Sequence, residues 1–170
     1  MDIQIASDRV ILALERELIN LTIENWLNEV VFHWQWWLLI VVLIIPWVIW
    51  WKYVDRTRLL EISIVGLIIA IIASYLDSVL TKFGLWYYNY SIVPFWPCFI
   101  PADITVLPIA YMLVYQFFPS ARQFLIAMIL LSGFLTFVGE HFLELVHIYK
   151  THGWQHHFSF PIYIAIGFIA

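Results

Sequence analysis

Long apolar runs separated by short polar stretches dominate the chain after residue 33. Runs of this kind are typical of helices that cross a membrane, because a helix rises 1.5 Å per residue and the hydrocarbon core is roughly 30 Å thick. The pattern predicts an all-α transmembrane bundle over residues 33–170. The predicted spans cover residues 34–51, 59–80, 101–118 and 123–149, followed by a short or truncated one at 158–170.

The last apolar run, 158–170, has only 13 residues. A helix of that length rises about 20 Å, which is less than the hydrocarbon thickness. We therefore predict four to five crossings in total, the last being either a half-span or a truncated span.

The N-terminal segment, residues 1–32, has a different pattern and predicts an amphipathic helix over 7–30. Its apolar residues recur at helical spacing. The net charge of −4 lies in the first 29 residues, and an acidic polar face suits anionic lipid poorly. We expect the apolar stripe to pack on protein instead. The stripe comprises Ile11, Leu14, Leu18 and Leu21.

Composition supports the membrane assignment and excludes several other classes. The chain is 64% hydrophobic and 12% charged, with a mean hydropathy of +0.88. Soluble domains carry about 25% charged residues, so a lipid-facing surface explains the difference and makes the bilayer a partner. The single cysteine, Cys98, excludes an internal disulfide and a thiolate metal cluster. The chain lacks the basic patch that nucleic-acid binding requires, so nucleic acid is not an expected partner.

Targeting and orientation follow from the positions of the charges. Residues 1–10 are polar and mixed, so we expect no cleavable signal peptide. The loops at 52–58 and 119–122 together carry four basic residues, slightly more than the opposite side. Because basic loops stay in the cytoplasm, we predict a multi-pass protein of the cell membrane with the 52–58 loop cytoplasmic.

Four carboxylates are predicted to meet in one leaflet. If the spans alternate in direction, the end of the second, the start of the third and the end of the fourth share one side. Asp77, Asp103, Glu140 and Glu144 occupy those places. Ionisable groups at membrane depth cost a few kcal/mol each and usually face a cavity or a partner.

Local explanations exist for some of these groups. Asp103 follows Pro101 at a helix start, where it could cap free N–H groups. Asp77 could pair with Lys82, five residues later. Glu140 follows a long apolar run and has no such explanation. The vicinal histidines at 156 and 157 lie in a predicted loop, where we expect them to be solvated.

The candidate site residues follow from this arrangement. In a helix, Glu140, Glu144 and His147 share a face (i, i+4, i+7), so they are candidate metal ligands. If the protein is an enzyme, Asp103 and Glu140 are the candidate catalytic acids. The sequence does not identify a cofactor. The candidate ligand-binding residues are Asp77, Trp86, Tyr87, Glu144 and Trp154.

Several motifs resemble a family of small multi-pass membrane proteins from spore-forming Gram-positive bacteria. The resemblance covers roughly residues 32–170 and implies the architecture, with no particular activity. Its motifs are Trp34-x-Trp36-Trp37, VDRTRLLEI, Leu76-Asp77, Gly84-Leu-Trp86-Tyr87, Pro101-x-Asp103 with LPIAYMLVYQ, and Trp154 with SFPIYIAIG.

A second resemblance covers one stretch of about 45 residues. Asp77, Gly84-Leu-Trp86 and Pro101-Ala-Asp103-Ile104 are similar to one repeat of the membrane-bound lycopene cyclases, which use a Pro-x-Glu-Glu/Asp motif to protonate a polyene. The similarity implies an acid role for Asp103. This chain has one carboxylate where that family has two.

Three functions are open from the sequence. The preferred one is a non-enzymatic component or subunit of an envelope complex, homo- or hetero-oligomeric, with structural or cation-binding carboxylates. The alternative is a membrane-embedded enzyme that modifies an isoprenoid or other lipid, in which a carboxylic acid protonates an alkene and aromatic faces stabilise the cation. The second alternative is a cation or proton binding site.

Overall fold

The computed structural model describes residues 2–96 and 98–169 of the chain. The protein is 79% helical, and its described residues include a short two-stranded sheet, so the predicted all-α class is confirmed. The helices are α1 (Asp2–Asn25), α2 (Trp34–Tyr53), α3 (Leu59–Lys82), α4 (Leu107–Phe117), α5 (Ala121–Phe134), α6 (His141–Leu145) and α7 (Ser159–Ile169).

Wider and tighter turns adjoin several helices. π-helical turns follow α1 at Trp26–Val30, precede α4 at Pro101–Val106 and join α5 to α6 at Leu135–Glu140. Tighter 3₁₀ turns precede α3 at Arg56–Arg58 and α7 at His156–Phe158. π-helical turns are rare and occur frequently at functional sites. Two of the predicted carboxylates, those at 103 and 140, lie in such turns.

Three helices are long and apolar enough to cross a membrane: Trp34–Tyr53, Arg56–Lys82 and Ala121–Leu145. The helix formed by Pro101–Val106 and α4 is shorter, as is the apolar helix His156–Ile169. The structure thus supports the membrane assignment by length and composition.

The central helix of the bundle is α4, which is buried on most of its circumference. Met112 is 1% exposed, and Ile109 and Tyr111 are buried as well. An apolar helix that is buried all round has neighbours on every side. Here α3 contributes the largest contact, through Ile62 and Ile69 among others.

Helix α7 packs closely against this core through Gly167. A Cβ atom added at Gly167 would lie 2.2 Å from Met128 Cε and 2.8 Å from Tyr111 Cε1. The Tyr111 hydroxyl also donates a hydrogen bond of 2.6 Å to the carbonyl of Tyr163 in α7. The short C-terminal helix is therefore part of the bundle core.

We expect Gly167→Ala to lower the free energy of unfolding by about 1–2 kcal/mol, because the added methyl group displaces Met128 and Tyr111. The flexible end of Met128 keeps the loss at the lower end of the overpacking range. Thermal unfolding in detergent micelles measures the effect. Gly133→Ala is the control, since its nearest new neighbour would be 3.8 Å away. Equal losses in both variants would contradict the close approach.

Hydrogen bonds show which chain segments share an end of the bundle. At one end, the Asp55 N–H donates to Gln116 Oε1 at 2.9 Å, and Gln116 Nε2 donates to the Tyr53 carbonyl at 2.9 Å. At the other end, β1 (Trp86–Tyr88) pairs antiparallel with β2 (Tyr149–Thr151). The sheet is absent from the sequence prediction, because three-residue strands have too few positions to show alternation.

The N-terminal helix differs from its prediction in extent and in packing. It begins at Asp2, earlier than residue 7, and continues through Trp26–Val30. Ile11 is 54% exposed and Leu18 is 65% exposed. Within this chain α1 contacts mainly the π-helical turn that follows it. The expectation that its apolar stripe packs on protein is thus wrong for the chain by itself.

Candidate functional site

A cavity of about 100 Å³ lies among four parts of the bundle. These are α3, the helix formed by Pro101–Val106 and α4, the end of the α5–α6 segment (Ala121–Leu145), and α7. Asp77, Asp103 and Glu140 all line it, so carboxylates from three separate helices converge as the alternation of spans predicted. We call this space the carboxylate cavity. Its apolar wall consists of Ala73, Leu76, Leu80, Ala102, Leu107, Leu143, Ile162 and Ile166.

Both carboxyl oxygens of Asp77 accept hydrogen bonds from protein donors. Its Oδ1 accepts from Trp86 Nε1 at 2.8 Å, from the Tyr88 hydroxyl at 2.7 Å and from Thr81 Oγ1 at 3.5 Å. Its Oδ2 accepts from the Phe99 N–H at 2.7 Å. Both oxygens act as acceptors. Asp77 thus ties α3 to β1 and to the chain before α4, and it forms no ion pair with Lys82 among the described residues.

Tyr88 supports this network as a donor. It lies in β1 and is stacked on Phe99, with ring centroids 4.6 Å apart and an interplanar angle of 9°. Burial and the neighbouring Asp77 carboxylate raise the pKa of Tyr88 well above its ordinary value. Its hydroxyl therefore keeps its proton and can donate to Asp77.

Asp103 has a different environment, although it lies beside Asp77. It is 5% exposed. Its carboxyl group interacts with the carboxyl group of Asp77 and with the Cys98 thiol. Its Oδ2 is buried and has no hydrogen-bond partner among the described residues. Its own N–H donates to the Phe99 carbonyl at 3.0 Å.

Glu140 and Glu144 are bridged by His156. Glu140 Oε2 lies 2.6 Å from His156 Nδ1, and Glu144 Oε2 lies 3.1 Å from His156 Nε2. The other oxygen of Glu140 accepts from the Tyr163 hydroxyl at 3.0 Å, and that of Glu144 accepts from Thr151 Oγ1 at 3.2 Å. Both ring nitrogens of His156 face carboxylates, which matches the protonated imidazolium.

This bridge corrects the expectation that both vicinal histidines are solvated. The His156 side chain is 16% exposed, whereas His157 is exposed. The rings of His141 and Tyr149 lie beside His156, with centroid distances of 4.3 Å and 6.3 Å. Burial lowers the pKa of His156, but the hydrogen bonds to Glu140 and Glu144 outweigh it and raise that pKa above its ordinary value.

The predicted metal site at Glu140, Glu144 and His147 does not form. Helix α6 ends at Leu145, and His147 is exposed with a left-handed φ of +60°, so the i+7 position is not helical. Helix α6 thus ends four residues before the predicted end of the fourth span, and the chain then turns to enter β2. In the described residues, no group of three or more His, Cys, Asp or Glu side chains is arranged to hold a metal ion.

Aromatic side chains form the rest of the cavity wall. Trp86 and Trp154 line it as predicted, with ring centroids 5.3 Å apart at 70°. Tyr87 does not: it is 42% exposed, because successive residues of a strand point to opposite sides. Tyr88 takes the place predicted for Tyr87. Phe99, Tyr149 and Tyr163 also belong to the aromatic wall.

Glu144 lies outside the cavity lining and reaches the site only through His156. Sequence reasoning missed His156, Tyr88, Tyr149 and Tyr163. The alternation of strand residues would identify Tyr88 once β1 is known. His156 and Tyr163 have no periodic pattern that indicates their partners, because the contacts join separate segments.

No protein-family model, curated protein or solved structure matches this chain. The geometry of the cavity and its side chains is therefore the basis for assigning a function.

The raised pKa of His156 predicts a pH dependence of stability. Because the folded-state pKa lies above 6.5, the stabilising contribution of His156 is complete below pH 6.5 and fades as the pH rises beyond that value. Thermal unfolding from about pH 5 to about pH 9 measures this loss. We expect His156→Gln to remove that part of the pH dependence and His157→Gln to retain it. Identical pH profiles for wild type and His156→Gln would contradict the bridge.

Proposed function

We propose that the protein is a non-enzymatic multi-pass protein of the cell membrane that binds a small ligand, or the polar end of a lipid, in the carboxylate cavity. The observation that carries this proposal concerns Asp103, which lines the cavity and whose buried Oδ2 has no hydrogen-bond partner among the described residues. Buried polar atoms in proteins are almost always hydrogen-bonded, so an exception calls for an explanation.

The proposed topology has four or five crossings, with the 52–58 loop in the cytoplasm. The basic residues of that loop and Arg122 favour this orientation. The carboxylate cavity then lies toward the outer leaflet, at the same end as β1 and β2. The exposed apolar stripe of α1 supports membership of a larger envelope complex, since nothing in the described part of this chain covers it.

A purely structural role explains the hydrogen bonding of Asp77 but not that of Asp103. A structural carboxylate has its oxygens satisfied by donors, and Asp77 accepts four hydrogen bonds. An unsatisfied buried polar group costs about 1–3 kcal/mol of stability. Groups that lower stability in this way are characteristic of functional sites, where a ligand supplies the missing partner.

The volume of the cavity limits the size of the ligand. Pockets for drug-sized molecules span about 300–1,000 Å³, and the carboxylate cavity is about 100 Å³. An engineered cavity of about 150 Å³ binds benzene. The ligand is therefore a small molecule, or one small group of a lipid whose remainder lies outside the cavity.

Filling the cavity tests the proposed function. Ala73 is buried at its wall, so Ala73→Leu is expected to displace the ligand. Ala70→Leu, on the same helix away from the cavity, is the matched control. Native mass spectrometry of protein purified from membranes is expected to show a bound small molecule in wild type and Ala70→Leu only. A bound mass that persists in Ala73→Leu, or its absence from all three proteins, argues against the proposal.

A second candidate is the isoprenoid-modifying enzyme, favoured by the closeness of Asp103 to the aromatic wall. A protonated Asp103 could deliver its proton to an alkene carbon, with Trp86 and Trp154 facing the carbocation. The small volume counts against a whole polyene inside the cavity. Incubation with lycopene in deuterium oxide tests it: an enzyme incorporates deuterium into a product, and Asp103→Asn abolishes this. Unlabelled lycopene recovered with wild type would exclude the reaction for that substrate.

A further inference from the structure

We propose that the ligand of the carboxylate cavity is a compact organic ammonium ion, which enters in exchange for a proton held by Asp103. This inference rests on the ligand-binding function proposed above and names the chemical class of the ligand. Three independent features carry it: the charge of the lining, the aromatic wall and the unpartnered carboxyl oxygen.

The charge of the cavity lining is acidic. Asp77, Asp103 and Glu140 line it, and no Lys, Arg or His is among the described residues that do. His156 offsets the charge of Glu140, whereas neither Asp77 nor Asp103 forms an ion pair with a residue that the structure describes. A concave site with low-dielectric walls and acidic groups favours a positively charged occupant.

The aromatic wall suits the apolar part of such a cation. The Trp86 ring lies 5.3 Å from that of Trp154 and 6.2 Å from that of Tyr149, at tilted or perpendicular angles. All three residues line the cavity. The negative face of an aromatic ring attracts an ammonium group, and this is how quaternary ammonium ligands are commonly bound. A neutral ligand would gain nothing from those faces beyond burial.

The carboxyl pair explains the exchange for a proton. Asp77 already accepts four hydrogen bonds from protein donors. Two adjacent carboxyl groups do not both ionise readily, so Asp103 holds a proton while the cavity lacks a cation. When an ammonium group enters, its N–H donates to the Asp103 carboxyl group and its charge allows Asp103 to ionise. One proton is then released to solvent for each cation bound.

A metal ion fits the same lining poorly. Cations such as Ca²⁺ take six to eight oxygen ligands, and Zn²⁺ takes four. The oxygens of Asp77 and Glu140 are occupied by protein partners, and the described residues contain no group arranged to hold a metal. An ammonium ion needs one free acceptor and an apolar, aromatic surround, which is the set that Asp103, Trp86 and Trp154 provide.

Isothermal titration calorimetry on the full chain in detergent micelles tests the proposal with a matched pair of probes. tert-Butylammonium chloride and tert-butyl alcohol have the same size and shape and differ in charge; sodium chloride controls for an inorganic cation. We expect the ammonium ion to bind at least about tenfold more tightly than the alcohol. Repeating the titration in buffers of different ionisation enthalpy counts the protons, and we expect about one released per cation.

Variants distinguish the carboxyl group from the aromatic wall. Asp103→Asn is expected to weaken ammonium binding at least about tenfold and to abolish proton release, whereas Asp55→Asn, in the loop at the opposite end, is expected to change neither. Trp154→Leu is expected to weaken binding about threefold or more, and the exposed Tyr87→Leu to leave it unchanged. Thermal unfolding of each variant confirms that it is folded.

Each other outcome overturns the inference in an identifiable way. Tighter or equal binding of tert-butyl alcohol rejects the cation while the small-ligand function stands. Equal proton release by sodium ions indicates an inorganic cation and rejects the organic one. Ammonium binding without proton release rejects the exchange at Asp103. If neither organic probe binds, the inference fails, and the native mass spectra of wild type and Ala73→Leu decide separately whether the proposed function stands.

Discussion

Replacement of Asp77 by alanine is expected to lower the free energy of unfolding by about 4 kcal/mol. The substitution removes the common acceptor of the Trp86 indole, the Tyr88 hydroxyl and the Phe99 N–H. The indole and the backbone N–H are buried, and each unsatisfied donor costs about 1–3 kcal/mol. The loss therefore exceeds that of an ordinary single hydrogen bond.

Unfolding by heat or by sodium dodecyl sulfate in mixed micelles measures this effect. Glu24→Ala, on the exposed surface of α1, is the control and is expected to leave stability unchanged. Asp77→Asn keeps one carbonyl acceptor and is expected to lose about half as much as Asp77→Ala. If Asp77→Ala unfolded like wild type, the network that joins α3, β1 and the start of α4 would be wrong.

Replacement of Asp103 by leucine is expected to have the opposite sign and to raise the free energy of unfolding by about 2 kcal/mol. The change removes a buried carboxyl oxygen that has no partner among the described residues. It also removes the acidic group beside Asp77, and the larger apolar side chain fills part of the cavity. The same variant is expected to lose ligand binding.

Thr105→Val is the matched control for this prediction. Thr105 lies in the same π-helical turn and is fully buried, but its hydroxyl donates to the Leu43 carbonyl and accepts from Trp47 Nε1. We expect Thr105→Val to lower stability by about 1–2 kcal/mol. A loss of stability in Asp103→Leu comparable to that in Thr105→Val would give Asp103 a structural role and remove the main support for a ligand site.

The two adjacent carboxyl groups thus have different expected roles, one structural and one in ligand binding. Asp77 has the bonding pattern of a group that holds segments together, and Asp103 has that of a group prepared for a partner. Opposite changes in stability from the two substitutions would distinguish these roles before any ligand is identified.

Much of the architecture could be predicted from the sequence. Apolar runs of helical length between polar breaks determine α2, α3 and the α5–α6 segment, because lipid-facing helices have a distinct composition. The alternation of such helices is enough to predict that Asp77, Asp103 and Glu140 meet. This prediction depends on direction and depth along each helix, and both can be read from residue positions.

The bonding of those carboxylates could not be predicted in the same way. The partners of Asp77 include the Phe99 N–H, 22 residues away, and the partner of Glu140 is His156, 16 residues away. The choice of His156 over His147 depends on where α6 ends and how the chain reverses into β2. The exchange of Tyr87 for Tyr88 depends on a strand too short to leave a pattern.

The sequence by itself determined that this is an apolar helical protein with carboxylates collected at one end of its bundle. Hydrophobic length and position encode these properties locally. Only the tertiary structure decided that Asp77 accepts four hydrogen bonds and that Glu140 is bridged to Glu144. It also decided that Asp103 lines a cavity and has a carboxyl oxygen without a partner in the described part of the chain. These distinctions come from contacts between distant segments, whose geometry depends on helix packing and on the π-helical turns that carry Asp103 and Glu140.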